Sequence, residues 1–251
     1  MPTTHTDPPS GFSLLEMAIV LAIVGLLLSG GMMTFTALQE QRRHEDTRLL
    51  LDEARDALLG FAVTYGRLPC PASDLSNGVE SPVGGGACTN PFDGFLPAVT
   101  LGLPGVAADG SLADAWGLSQ NRLRYAVTIA NAAAHDATTT NGIQGRTMAT
   151  FAPDLQVCDS ATGITATTCG TATTLAGNAI AVIYSLGKNA ATGGSGSGSG
   201  TDEAANLNND PVFVSHTPTH QGSAGGEFDD LVSWLAPSIL YNRMIQAGKL
   251  P

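Results

Sequence analysis

The sequence predicts an α+β protein in which one long N-terminal helix, about residues 13–65, is followed by a strand-and-loop domain with long loops. Three observations carry that expectation. First, an uncharged run of 22 residues from Met17 to Leu38 follows Glu16. Second, Leu51, Ala54, Leu58, Phe61, Ala62 and Tyr65 fall on one helical stripe opposite Asp52, Glu53 and Asp56. Third, dense apolar stretches at Arg122–Thr128, Ala179–Leu186 and Phe228–Leu235 read as strands, each set off by turn formers.

The uncharged run would be about 33 Å long as a helix, enough for one span of a hydrocarbon core of ~30 Å. Continued to Tyr65 the helix would reach ~80 Å. Gly30-Gly31 is a candidate flexible point midway, Gly66 supplies a stop, and Pro69 prevents continuation. Residues 69–120 are punctuated by Pro and Gly and read as loop with short helices. Gly193 to Gly200 alternates Gly and Ser and reads as a flexible insert. Pro237 to Ala247 reads as a closing helix with Pro in its first turn and Gly248 beyond it.

Composition narrows the function. Of 251 residues only 13% are charged, about half the ~25% usual for soluble domains, and the net charge is −11. That balance argues against nucleic acid as a partner, because no basic stripe exists to meet phosphates. Four cysteines, Cys70, Cys88, Cys158 and Cys169, all follow the apolar run. They allow three connectivities. The two local pairings are favoured, since each closes a Gly- or Thr-rich loop with little core of its own. A zinc site wants cysteines only about two to four residues apart, and these are not. Disulfides place the domain in an oxidising compartment. That evidence sets the orientation against a charge count that points the other way, because Arg42, Arg43, Arg48 and Arg55 lie after the span.

The start of the apolar run is specific. Gly11-Phe12-Ser13-Leu14-Leu15-Glu16, with the hydrophobic stretch behind it, resembles the class III signal of type IV pilins and type II secretion pseudopilins. The resemblance implies the pilin fold, in which the helix packs on a small antiparallel sheet. It implies a leader at 1–11, cleavage after Gly11 by prepilin peptidase, and methylation of the new terminus, Phe12. Residues 12–38 would be the membrane and filament-core helix, 39–65 the amphipathic half, and 66–251 the periplasmic or extracellular domain. Glu16 would neutralise the amino terminus of a neighbouring subunit during assembly; a buried carboxylate and a buried ammonium are each costly alone and tolerable as a pair. The leader carries no Lys or Arg, a departure from the family pattern.

Three patches of the domain add to the resemblance. Asp114-Ala115-Trp116-Gly117 before Leu123–Val127 is similar to a pseudopilin turn and strand, with Ala115 in place of the usual proline. Ile183–Asn189 is similar to the strand and turn before the calcium loop of the major pseudopilin, and Glu227–Leu231 to the acidic segment that closes it. Asp202, Glu203, Asn206, Asn208, Asn209, Asp210, Asp229 and Asp230 could supply oxygens to a hard cation. They read first as solvated turn formers. Calcium at Asp202, Asp210, Asp229 and Asp230 is the alternative, and no other cofactor is expected.

No nucleophile, phosphate-binding or dinucleotide motif is present, and His216 and His220 flank a proline and read as a surface loop. The expected function is therefore structural: a minor pilin or pseudopilin, first in the inner membrane and then in a pilus or pseudopilus. Its partners would be the peptidase, other subunits and the inner-membrane assembly platform. An adhesin-like pilin, with inserts at 78–113 or 131–178 binding a surface, glycan or DNA, is the other reading.

Overall fold

A computed structural model describes residues 13–117, 120–129, 135–190 and 200–250, without the side chains of 27–35 and 37. The leader, Gly11, Phe12 and residues 193–199 of the Gly-Ser insert lie outside the described residues. The first helix, α1 (Leu14–Tyr65), holds 52 residues and is continuous through Gly30-Gly31. Residues up to His44 form one unit of the chain, and those from Glu45 onward the other.

The second unit is built on two sheets. Strands β1 (Gly94–Phe95), β2 (Arg124–Val127), β5 (Ala181–Ser185) and β7 (Leu231–Leu235) form an antiparallel sheet in that order. Strands β4 (Thr174–Ala179), β3 (Leu155–Cys158) and β6 (Val212–Val214) form a second sheet, in which β3 pairs antiparallel with β4 and parallel with β6. Three helices complete it: α2 (Ala98–Leu101), α3 (Thr201–Ala205) and α4 (Pro237–Gln246).

Period-2 alternation sorts the antiparallel sheet between two cores. Tyr125, Val127, Ala181, Ile183, Leu231 and Leu235 pack with Leu51, Ala54, Leu58 and Ala62 of α1 and Leu240 and Met244 of α4. Their neighbours Ala126, Val182 and Tyr184 pack instead with Leu155, Val157, Ala179 and Phe213 of the second sheet. Central strand β5 is buried at every residue. A strand covered on both faces carries no polar alternation, which is why Ala181–Tyr184 reads as a continuous apolar run.

The α+β class, the long helix and the antiparallel sheet are as the sequence leads one to expect; the mixed second sheet is not. The run from Ala179 to Leu186 is also divided. Ala179 closes β4, and the chain crosses to the other sheet at Ile180. Tyr65 is half exposed rather than core, its ring tilted against Phe61 at 4.4 Å between centroids. Helix α1 stops at Gly66, whose φ is +67° and whose N–H donates to the Ala62 carbonyl at 2.8 Å. Cys70 is bonded to Cys88 and Cys158 to Cys169.

Candidate functional site

The turn Asp114–Gly117 anchors one end of the antiparallel sheet. Trp116 N–H donates to Asp114 Oδ1 at 2.9 Å, and Ala115 N–H to the buried Thr47 hydroxyl of α1 at 3.2 Å. The other oxygen of Asp114 accepts from the Ser185 hydroxyl (2.5 Å) at the end of β5 and from Asn121 Nδ2 (3.1 Å). Asn121 Nδ2 also donates to the Gly187 carbonyl. This wiring fixes the bend after β5, where Gly187 takes a φ of +64°. Burial raises the Asp114 carboxyl above its usual range.

Against that bend lies a cluster of three buried carboxylates. One oxygen each from Glu203, Asp229 and Asp230 lies within 4.8 Å of the others. Helix α3 supplies Glu203, and the segment entering β7 supplies the two aspartates. Asn189 Nδ2 donates to both oxygens of Glu203 (2.9 and 3.0 Å), and Asp229 N–H donates to its Oε1 (3.0 Å). Lys188 N–H donates to Asp229 Oδ2 at 3.2 Å. Asn206 Nδ2 donates to Asp230 Oδ2 at 2.7 Å, with its own oxygen held by Val214 N–H at 2.7 Å. Asp229 Oδ1 is buried with no hydrogen-bond partner among the described residues.

Three carboxylates so close cannot all ionise in a buried site without a counter-charge. Burial, then the charges of Glu203 and Glu227, push Asp229 up to about 7. Burial likewise raises Glu203, and holds Asp230 well above the carboxylate range. The Lys188 ammonium, 3.5 Å from Glu227, pulls Asp229 the other way but does not outweigh the rise. An all-oxygen donor set with an orphaned buried oxygen fits a hard divalent cation.

The sequence candidates divide here. Asp229 and Asp230 meet in the cluster, joined by Glu203. Asp202 faces elsewhere: its Oδ1 accepts from Ala161 N–H at 2.6 Å and its Oδ2 lies 3.1 Å from His216 Nε2. Asp210 holds the start of β6 through Val212 N–H at 2.9 Å and accepts from Asn208 Nδ2 at 2.7 Å. His216 is no loose surface residue, for its ring stacks on Phe228 at 3.9 Å between centroids. Gly187 and Asn189, which the sequence reading passes over as ligands or supports, shape the site directly.

The other candidate is the start of α1. Glu16 N–H donates to the Ser13 hydroxyl at 3.2 Å, and Ser13 N–H donates back to the Glu16 carboxylate at 3.1 Å. This reciprocal capping box satisfies two N–H groups that a helix start otherwise leaves orphaned. Within and beyond it Leu14, Leu15, Met17, Ile19, Val20, Leu21, Ile23, Val24 and Leu26 are all exposed. Successive helical residues sit about 100° apart, so these nine side chains ring the helix rather than form one stripe. Among the described residues no helix is long and apolar enough to cross a membrane. The side chains of 27–35, within the uncharged run, lie outside that description.

Residues 9–32 match the family model described as the prokaryotic N-terminal methylation motif. The chain carries the signal of type IV pilins and pseudopilins. No curated protein and no solved structure matches the chain. The pilin-type signal gives Glu16 and the apolar ring around it a context that geometry alone lacks. It implies processing by prepilin peptidase and assembly with other pilin-type subunits. It points to a structural subunit rather than an enzyme.

Proposed function

We propose that the chain is a structural subunit, a minor pilin or pseudopilin, of a type IV pilus or type II secretion pseudopilus. The observation that carries this reading is the methylation motif at 9–32 together with the ring of exposed apolar side chains on both sides of Glu16. A helix apolar on every side is stable only in lipid or among like helices. The subunit waits in the inner membrane as a single-pass protein, its α1 apolar segment in lipid and its disulfide-bonded domain in the periplasm. Peptidase then cuts after Gly11 and methylates Phe12. The same apolar surface afterwards packs among neighbouring α1 helices, and Glu16 meets a neighbour's amino terminus. The assembly platform is the partner that draws the subunit out of the bilayer.

The carboxylate cluster has a supporting role in this reading. Glu203, Asp229 and Asp230 hold calcium, whose charge lets all three ionise and draws α3 and the entry to β7 together.

Intact-mass measurement of the mature protein tests the main reading. A chain beginning at methylated Phe12 is expected. Retention of residues 1–11 in cells with an active prepilin peptidase would overturn it.

A further inference from the structure

Strand β7 closes the order β1–β2–β5–β7, so one of its long edges pairs with β5 and the other with no strand among the described residues. No hydrogen bond joins the backbone of residues 231–234 to any described group except β5. Two hollows lie along that edge, and a third, between α1 and α4, adjoins the second. The first, of about 300 Å³, is lined by Arg48, Asp52, Val232 and Ser233. The second, about 310 Å³, shares Val232 and Ser233 and adds Arg55, Trp234 and Ile239. The third, also about 310 Å³, shares Arg55 and Ile239 and adds Asp56 and Arg243. Consecutive strand residues point to opposite faces. Val232, Ser233 and Trp234 can all line the first two hollows only if these view the strand edge-on.

The chemistry of this groove selects its occupant. An open edge offers a row of alternating N–H and C=O groups, which an added strand satisfies. The polar stripe of α1 forms the opposite wall. Arg48 and Arg243 make no side-chain bond to a described group. Arg55 has a buried Nε without a partner and only a distant ion pair, 3.7 Å, with Asp52. In a chain of net charge −11 the groove gathers three of the 11 basic residues. Asp52 and Asp56 offset part of that charge, and Asp230 at the mouth of the first hollow is turned to Asn206. A phosphate polymer would be repelled by the rest of the chain.

We propose that the β7 edge receives an extended acidic segment of a partner protein, added as a strand with its carboxylates on Arg48, Arg55 and Arg243. The added strand need span only about 17 Å to cover β7, at ~3.4 Å per residue. The proposal does not depend on how α1 is used. The full chain, purified in detergent, is titrated with a synthetic peptide alternating Glu and Val. Two control peptides accompany it, one with Lys in place of Glu and one N-methylated at alternate backbone amides. Calorimetry and Trp234 fluorescence report binding. Saturable sub-millimolar binding of the Glu peptide is expected, weakened about ten-fold by Arg48→Glu or Arg243→Glu. Both controls should fail to bind. Equal binding of the Glu and Lys peptides, equal binding of the N-methylated peptide, or no binding of the Glu peptide at millimolar concentration overturns the proposal. Self-association of the chain that Arg48→Glu abolishes makes the occupant a second copy, and overturns it too.

Discussion

The side chain that residue 187 lacks would stand against Asp229: a Cβ on Gly187 would lie 2.2 Å from Asp229 Oδ1 and 2.5 Å from its carbonyl oxygen. The glycine and the orphaned carboxylate oxygen are therefore one feature, a left-handed bend that lets the backbone close over the cluster. Gly187→Ala combines that clash with a φ of +64° that L residues rarely adopt. It should lower stability by about 1–3 kcal/mol and abolish any stabilisation by calcium. Thermal unfolding with calcium and with chelator checks both parts. A wild-type response in the variant would detach Gly187 from the cluster.

Which carboxylates would hold a calcium ion is a separate question, and adjacent residues of α3 decide it. Positions next to each other on a helix point about 100° apart. Asp202 consequently meets His216 and Ala161, while Glu203 enters the cluster. Glu203→Gln should weaken calcium binding by about ten-fold or more, on the scale of lost metal-site groups. Asp202→Asn keeps an oxygen for Ala161 N–H and should leave calcium binding unchanged. Calorimetric titration of the two variants separates them, and the reverse ranking would move the site to Asp202.

That pair also marks where sequence reading reaches its limit. The second half of α1 announces itself by 3.6-residue periodicity ending at Gly66, α4 by Pro237 and Gly248 at its ends, and β2, β5 and β7 by dense apolar residues. The second sheet gives no such signal. Strand β6 has three residues, and β4 runs through Gly177 and Asn178 with an exposed face. The parallel pairing of β3 with β6 joins segments far apart in sequence. Asp229-Asp230 stands out as an acidic doublet beside a strand. The choice of Glu203 over Asp202 or Asp210 depends on rotation about α3 and on the Asp210 turn, neither of which composition encodes.

Arg67 and Glu80 form a buried fork-to-fork pair, with both nitrogen–oxygen distances at 2.7 Å. Cys70 and Gly84 N–H groups donate to the same carboxylate at 3.1 Å each. Burial alone would raise Glu80, but the bonds and charge of Arg67 with these N–H groups outweigh it, and the net shift is downward. The folded chain therefore binds this proton less readily than the unfolded one. The stability it contributes is fully present above the unfolded value of about 4.3 and is lost as pH falls through the lower folded value. Glu80→Gln should strip this acid limb from a urea-unfolding series. It should also lower stability at neutral pH by about 3–5 kcal/mol, because Arg67 is left buried and unpaired. An unchanged acid limb in the variant would show that other carboxylates set it.

Ser13 and Glu16 separate two roles that a single substitution confounds. The capping box needs an acceptor at position 16 but not a charge, and Gln fills that position as well as Glu. Pairing with a neighbour's amino terminus needs the charge. Glu16→Gln should therefore keep the capping box while losing the ion pair, and Glu16→Ala should lose the ion pair and the bond back from Ser13 N–H. If charge pairing drives assembly, both variants are processed to Phe12 and both fail to enter filaments to the same degree. If the cap is what matters, Glu16→Gln assembles like the parent chain and only Glu16→Ala fails. Counting subunits in sheared filaments, beside the mass of the processed chain, distinguishes the outcomes. Normal incorporation of Glu16→Gln would remove the ion pair from the assembly mechanism and leave Glu16 as the residue that starts the helix.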